Sequence, residues 1–112
     1  MTKRQAYLTI DDSPTHQTDM MTDWLAERGI PAVFYCIGTD YKDLDITCQG
    51  IESNSNSLIR AIEKGFVLGN HLYTHTRSST MDFESVIAEI QKTEVLIDGL
   101  YKKANKARPC KL

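Results

Sequence analysis

The 112-residue chain predicts an α/β fold built on parallel strands. Three observations carry this. Short apolar runs rich in β-branched and aromatic residues (AYLTI at 6–10, PAVFYCI at 31–37, FVLG at 66–69) alternate with stretches of helical periodicity. Two of those stretches close on a glycine just before the next run, at Gly29 and Gly65. Length and composition, with 41% hydrophobic and 25% charged residues, suit one folded domain spanning residues 1–112.

The elements follow in order. Residues 6–10 read as the first strand. Met20, Met21, Trp24 and Leu25 recur at helical spacing, Gly29 supplies a left-handed cap, and Pro31 stops the helix. Residues 31–37, bounded by Pro31 and Gly38, read as a buried strand. The polar stretch 38–56 is long for a connection and reads as a surface insertion or a site loop. Ser57 is placed to cap a helix carrying Leu58, Ile59 and Ile62. After the strand at 66–69, Phe83, Val86, Ile87, Ile90, Ile97 and Tyr101 mark the longest helix, with Ser79 and Asp82 near its start. A fourth strand is expected near Ala107. The stripe Met20, Trp24, Phe83 and Ile90 is expected to be core, and the charge run from Lys102 to Lys111 a solvated tail.

The order β-α-β-α-β-α argues for right-handed crossovers, with chemistry collected beyond the carboxyl ends of the strands. Asp11 and Asp12 lie there after the first strand; Asn70, His71 and His75 lie there after the third. Histidines four apart reach the same side of one helical turn or a tight loop. Two neutral imidazoles and one carboxylate leave coordination positions open, as a catalytic zinc or another divalent transition metal requires. One aspartate then serves as a ligand, and the other acts on a metal-bound water whose pKa the cation lowers toward about 7. The cation also explains why two adjacent carboxylates are tolerated, since its charge offsets their repulsion. His16, near the pair, reads as a cap or a solvent-facing residue.

Other features exclude function classes. A net charge of −2 with interspersed signs offers no basic footprint for nucleic acid. No span suits a membrane. Lys3 and Arg4 precede only a short apolar run without a small-residue cleavage site, so a cytoplasmic location is expected. Cys36, Cys48 and Cys110 follow no paired metal spacing and read as free thiols, Cys36 as a buried small hydrophobe and Cys110 as exposed.

The chain resembles the polysaccharide deacetylases with the nodulation-protein (NodB-type) catalytic domain. The family's T-F-D-D-G-P motif appears as Thr9-Ile10-Asp11-Asp12-Ser13-Pro14, and its H-[ST]-x-x-H motif as His71-Leu72-Tyr73-Thr74-His75 after Gly69-Asn70. ERGIPAVFYCIG at 27–38, AIEKGFVLGNH at 61–71 and EIQKTEVLIDG at 89–99 carry the likeness along the chain. The resemblance implies Asp11 as the general base, Asp12, His71 and His75 as metal ligands, zinc as the foremost metal, and hydrolysis of the amide of an N-acetylated sugar or a smaller acylated amine. It also implies a (β/α) barrel, of which this chain resembles the N-terminal half.

Departures from the pattern set further expectations. Ser13 stands for the motif's glycine, and is strained if that turn needs a positive φ. Leu72 stands for Ser or Thr, removing a supporting hydrogen bond. Arg108-Pro109-Cys110 begins like the family's R-x-P-[FY]-G motif, which implies a catalytic Arg108 pairing with the base aspartate. The later segments, which supply a further acidic residue, a tryptophan and a leaving-group histidine, have no counterpart here. A half-barrel leaves strand edges unpaired, so a partner chain, self-association or an opened sheet is expected. Two alternatives stand beside the deacetylase: a non-catalytic metal-binding remnant or subunit, and a phosphoacceptor signalling domain. The signalling domain would need a phosphorylatable aspartate after the third strand, where this chain has Gly69-Asn70-His71.

Overall fold

The computed structural model describes residues 2–43 and 47–112. In chain order the elements are β1 (Thr9–Ser13), α1 (Thr18–Glu27), β2 (Val33–Cys36), β3 (Tyr41–Lys42), β4 (Thr47–Cys48), α2 (Gly50–Ser53), α3 (Ser55–Glu63), β5 (Val67–Asn70), a 3-10 turn (Ser78–Thr80) and α4 (Phe83–Lys103). β1, β2 and β5 form a parallel sheet in that spatial order, and β3 pairs antiparallel with β4. The main strands therefore add in sequence, each beside the last. α1 packs on α3 and α3 on α4, which puts the crossover helices on one side of the sheet. This is the winding of a (β/α) barrel. A doubly wound signalling domain would place its first strand between two others, whereas β1 is an edge.

The core lies between the sheet and α3 and α4. Phe34, Leu58, Ala61, Leu68 and Ile97 are fully buried, and the Phe34 and Phe66 rings meet edge to face at 5.5 Å. β2 alternates half-buried Val33 and Tyr35 with buried Phe34 and Cys36, so one face meets the helices and the other faces inward on the winding. Tyr101 reaches the same sheet from α4, and its hydroxyl accepts the Leu68 N–H at 3.1 Å.

The structure corrects several expectations. β1 begins at Thr9 rather than residue 6 and continues through Asp11, Asp12 and Ser13, because pairing with β2 starts only at Thr9↔Val33. β2 is shortened within its apolar run to Val33–Cys36, and β5 is shifted one residue to Val67–Asn70. The insertion at 38–56 holds the β3–β4 ribbon and α2, elements too short to leave a periodic signal; residues 44–46 of that reading lie outside the described residues. Asn54, not Ser57, caps α3, its side chain accepting the Ser57 N–H at 3.3 Å. Asp82 caps α4 in the same way through Ser85.

The apolar stripe expected to be core is exposed: Phe83 is 79% exposed, Met20 64%, Trp24 51% and Ile90 37%. Met20 and Trp24, with Leu8, Ile10, Met21 and Leu25, line a wholly apolar groove along the outer edge of β1. α1 gives the buried core only Leu25, the other buried apolar helix residues coming from α2, α3 and α4, and no described residue covers that edge. No strand forms near Ala107, and the tail is not simply solvated. The Arg108 side chain is 8% exposed, drawn onto α4 by Glu94 and Asp98, and only the Leu112 carbonyl reaches the sheet, accepting the Asn70 N–H at 2.7 Å. No described helix is long and apolar enough to cross a membrane.

Candidate metal centre

β1 carries one extra residue against β2: Ile10 pairs with Phe34 and Ser13 with Cys36, so three steps on one strand match two on the other. This is a β-bulge, a device that re-aims side chains at a sheet's rim. Asp12 provides the turn with a left-handed φ of 58°, a conformation that aspartate tolerates better than most residues. The positive φ therefore falls on Asp12, and Ser13 is fully buried without that strain. The bulge interrupts the alternation of the strand and leaves Asp12 half-buried beside exposed Asp11.

The second component is the loop after β5. The His71 N–H donates to the Cys36 carbonyl at 2.9 Å, which fixes the first histidine to the end of β2. Leu72 and His75 then adopt left-handed φ values of 67° and 61°, and such conformations in non-glycine residues cost about 1–3 kcal/mol each. Surrounding contacts hold the loop in place. Asn70 Oδ1 accepts the Leu72 N–H at 2.9 Å, while Asn70 Nδ2 donates to the Ile90 carbonyl and to Glu94 on α4. Gly38 and Thr39 donate their N–H groups to the Leu72 and Tyr73 carbonyls. The Tyr73 ring lies where a Gly38 side chain would be, since a Cβ there would sit 2.1 Å from Tyr73 Cδ2. The Tyr73 hydroxyl bonds Glu52 of α2, and Lys92 stacks over the ring at 3.7 Å.

Glu89 of α4 completes the loop. Its Oε2 accepts the Tyr73 N–H at 2.7 Å and the Thr74 N–H at 2.8 Å, and its Oε1 accepts the Thr74 hydroxyl at 2.7 Å. Burial alone would raise the carboxyl's pKa, but the three donors outweigh it and hold the group below the ordinary glutamate range. Sequence reasoning overlooked Glu89, Asn70's links to α4 and Tyr41 of β3. In the sequence, Glu89 is one more polar residue on an amphipathic helix, and only the folded loop gives it a partner.

Together these pieces bring Asp12 Oδ1 to 3.2 Å from His71 Nε2 and 3.0 Å from His75 Nε2. The three ligand atoms lie within 4.8 Å of one another, and each residue is half-buried. Asp12 Oδ1 is nonetheless buried without a hydrogen bond, so both imidazole nitrogens approach it without the alignment of a donated proton. Buried oxygens are ordinarily satisfied. Two bonds of 2.0–2.1 Å from a tetrahedral zinc span about 3.3 Å between ligands, close to the separations seen. The oxygen, the donor types and the spacing fit a divalent transition metal. The Tyr41 ring meets the His75 ring edge-on at 4.4 Å, and the two imidazoles lie 5.0 Å apart. Cys48 is not a competing thiolate: burial, with the negative charges of Asp12 and Asp40, pushes its pKa up to about 12, and its Sγ donates to the Pro14 carbonyl.

Of the residues expected at the site, Asp12, His71 and His75 converge. Asp11 adjoins them, exposed and without a hydrogen-bond or ion-pair partner among the described residues. Arg108 does not pair with it. Its guanidinium contacts Glu94 at 2.6 Å and Asp98 at 3.0 Å, so the tail at Arg108 is held back on α4.

Comparison with known proteins agrees with this geometry. The family model for polysaccharide deacetylases matches residues 1–108. A chitooligosaccharide deacetylase of Rhizobium leguminosarum bv. trifolii is 33% identical over 84% of this chain and 40% of its own length. A peptidoglycan-N-acetylglucosamine deacetylase of Bacillus cereus is 28% identical over 88% of this chain and 32% of its own. The structure of the chitin deacetylase from Colletotrichum lindemuthianum superposes with a TM-score of 0.71 at 25% identity, covering 84% of this chain and 39% of that one. The chain thus spans two-fifths or less of the length of these relatives. With both motifs in one rim and residues 1–108 of its 112 matched by the family model, this chain belongs to the polysaccharide deacetylase family.

Proposed function

We propose that this chain forms the metal-holding, base-bearing part of a hydrolase that removes N-acetyl groups from a carbohydrate such as an N-acetylglucosamine oligomer. The observation that carries this reading is the convergence of Asp12 Oδ1, His71 Nε2 and His75 Nε2 around a buried oxygen with no hydrogen bond. Asp12, His71 and His75 would hold a divalent transition metal, zinc foremost; a cation there polarises an acyl oxygen and acidifies water. Asp11, exposed beside them, takes the proton of the attacking water and is the group that can return it to the departing amine. The rim's open side admits the sugar. A second reading, metal binding without turnover, is favoured by one observation: Arg108, the residue expected at the base, is engaged by α4.

The test combines metal content of the purified protein with release of free amine from chitooligosaccharides. The wild type is expected to carry about one metal equivalent, the His71→Ala, His75→Ala double variant none, and Asp11→Asn to keep its metal while losing about 10²–10⁴-fold in rate. Metal without turnover in the wild type selects the second reading. Equal metal content in wild type and double variant sinks both.

A further inference from the structure

We propose that Glu89 is a positioning residue for the metal centre, holding His75 in place through the loop backbone rather than by touching the site. The inference rests on the metal-binding reading above and deepens it. His75 closes a loop whose backbone is left-handed at both Leu72 and His75, so the loop needs outside contacts to stay in that shape. The histidine's own ring adds little restraint: its Nδ1 is buried without a hydrogen-bond partner among the described residues, whereas a metal-ligating histidine is usually fixed by a bond at its second nitrogen.

Glu89 supplies the missing restraint one residue away. Its carboxylate takes the two successive N–H groups of Tyr73 and Thr74 and the Thr74 hydroxyl, all at 2.7–2.8 Å. The Thr74 hydroxyl also lies 2.7 Å from the Thr76 hydroxyl, so the residues flanking His75 on both sides join the same network. Glu89 sits in the second turn of the 21-residue α4, the longest element and one packed on β5. The loop is thereby referenced to the frame of the fold. This arrangement also bears on Leu72, which cannot donate a side-chain hydrogen bond within the motif; the polar support comes instead from α4.

The test is metal affinity, measured by Co²⁺ and Zn²⁺ titration against a chromophoric chelator, with the visible spectrum of the Co²⁺ form as a second readout. Glu89→Ala is expected to weaken binding about 10–100-fold, the range seen when outer partners of a metal site are removed, and to alter the Co²⁺ bands. Glu89→Gln is expected to recover most of the affinity, because an amide oxygen still accepts both N–H groups and its NH₂ can donate to the Thr74 hydroxyl. Asp82→Ala serves as the structural control, since it removes the N-cap of the same helix without touching the loop and should leave affinity and spectrum unchanged.

If Glu89→Ala fails to fold, Glu89→Asp decides. It keeps the charge but is too short to reach the loop, and is expected to weaken binding as well. Should the wild type take up no metal, the reading of the centre itself fails. Should it bind metal while the Glu89 variants bind equally well with unchanged spectra, or while Asp82→Ala weakens binding as much as Glu89→Ala, the positioning role is overturned.

Discussion

Replacing Arg108 with methionine separates service to α4 from service to the rim. The guanidinium, 8% exposed, donates from Nη1 to Glu94 Oε2 at 2.6 Å and Asp98 Oδ1 at 3.0 Å, and from Nη2 to Glu94 Oε1 at 3.2 Å. Removing one partner of a fully buried ion pair costs about 3–5 kcal/mol. Two features lower that figure here. Glu94, 19% exposed, keeps the Asn70 Nδ2 donor at 3.0 Å, and the Asp98 arm is 41% exposed and contributes little. Methionine preserves much of the stem packing, so the expected loss is about 2 kcal/mol. At about 2.1 cal/mol/K of unfolding entropy per residue, that lowers Tm by about 8 °C. Urea denaturation of wild type, Arg108→Met, Glu94→Gln and the double variant should return a coupling energy of about 1–2 kcal/mol. Arg108 beside Glu94 holds its carboxyl below the usual range, with burial opposing. A depressed carboxylate contributes stability that is complete above the unfolded value of 4.5 and is lost as pH falls through the folded value. The gap between wild type and Arg108→Met should therefore close in acid. A coupling near zero, or a gap unchanged at low pH, would refute the pairing.

Three further outcomes are expected of the same fold. Gly38→Ala places a Cβ 2.1 Å from the Tyr73 ring and should destabilise by about 1–3 kcal/mol in denaturant titration, with metal affinity falling as Tyr73 is displaced. Zn²⁺ at a hundredfold excess over its dissociation constant should stabilise the wild type by about 2.7 kcal/mol, a Tm rise of about 11 °C, and leave the His71→Ala, His75→Ala variant unmoved in the same scan. Trp24→Glu, at a side chain 51% exposed, should change folding stability by no more than about 0.5 kcal/mol while raising the concentration at which the protein aggregates in light scattering.

The convergence of Asp12, His71 and His75 was legible because it rests on local motifs: an acidic pair closing a strand and histidines four apart, each near a strand end that topology places on one rim. What escaped was what depends on tertiary context. Trp24 and Phe83 have the spacing of core residues, but periodicity reports an apolar face without reporting whether anything covers it, and here the described chain does not. The bulge at Asp12 was invisible because an extra residue appears only against the register of a partner strand. Ser57 and Asn54 are both good caps three residues apart, and the backbone chose the earlier. The β3–β4 ribbon has two residues a side, too few for any period to register. Arg108 was assigned by motif, whereas its guanidinium is taken by Glu94 and Asp98 of α4, tertiary partners that no local motif records.

The two flanks of the sheet are chemically unlike. The N–H groups of Leu68 and Asn70 already have acceptors in the Tyr101 hydroxyl and the Leu112 carbonyl. A newcomer docking there must evict a tyrosine and a chain segment, while one docking along β1 displaces water from an oily trough. A second molecule that extends the sheet is accordingly favoured along β1, whereas continuation of the winding adds beside β5 and has to take over those two N–H groups. That is also the strand bearing Asp11 and Asp12, so a molecule docking there arrives alongside the acidic side of the candidate site.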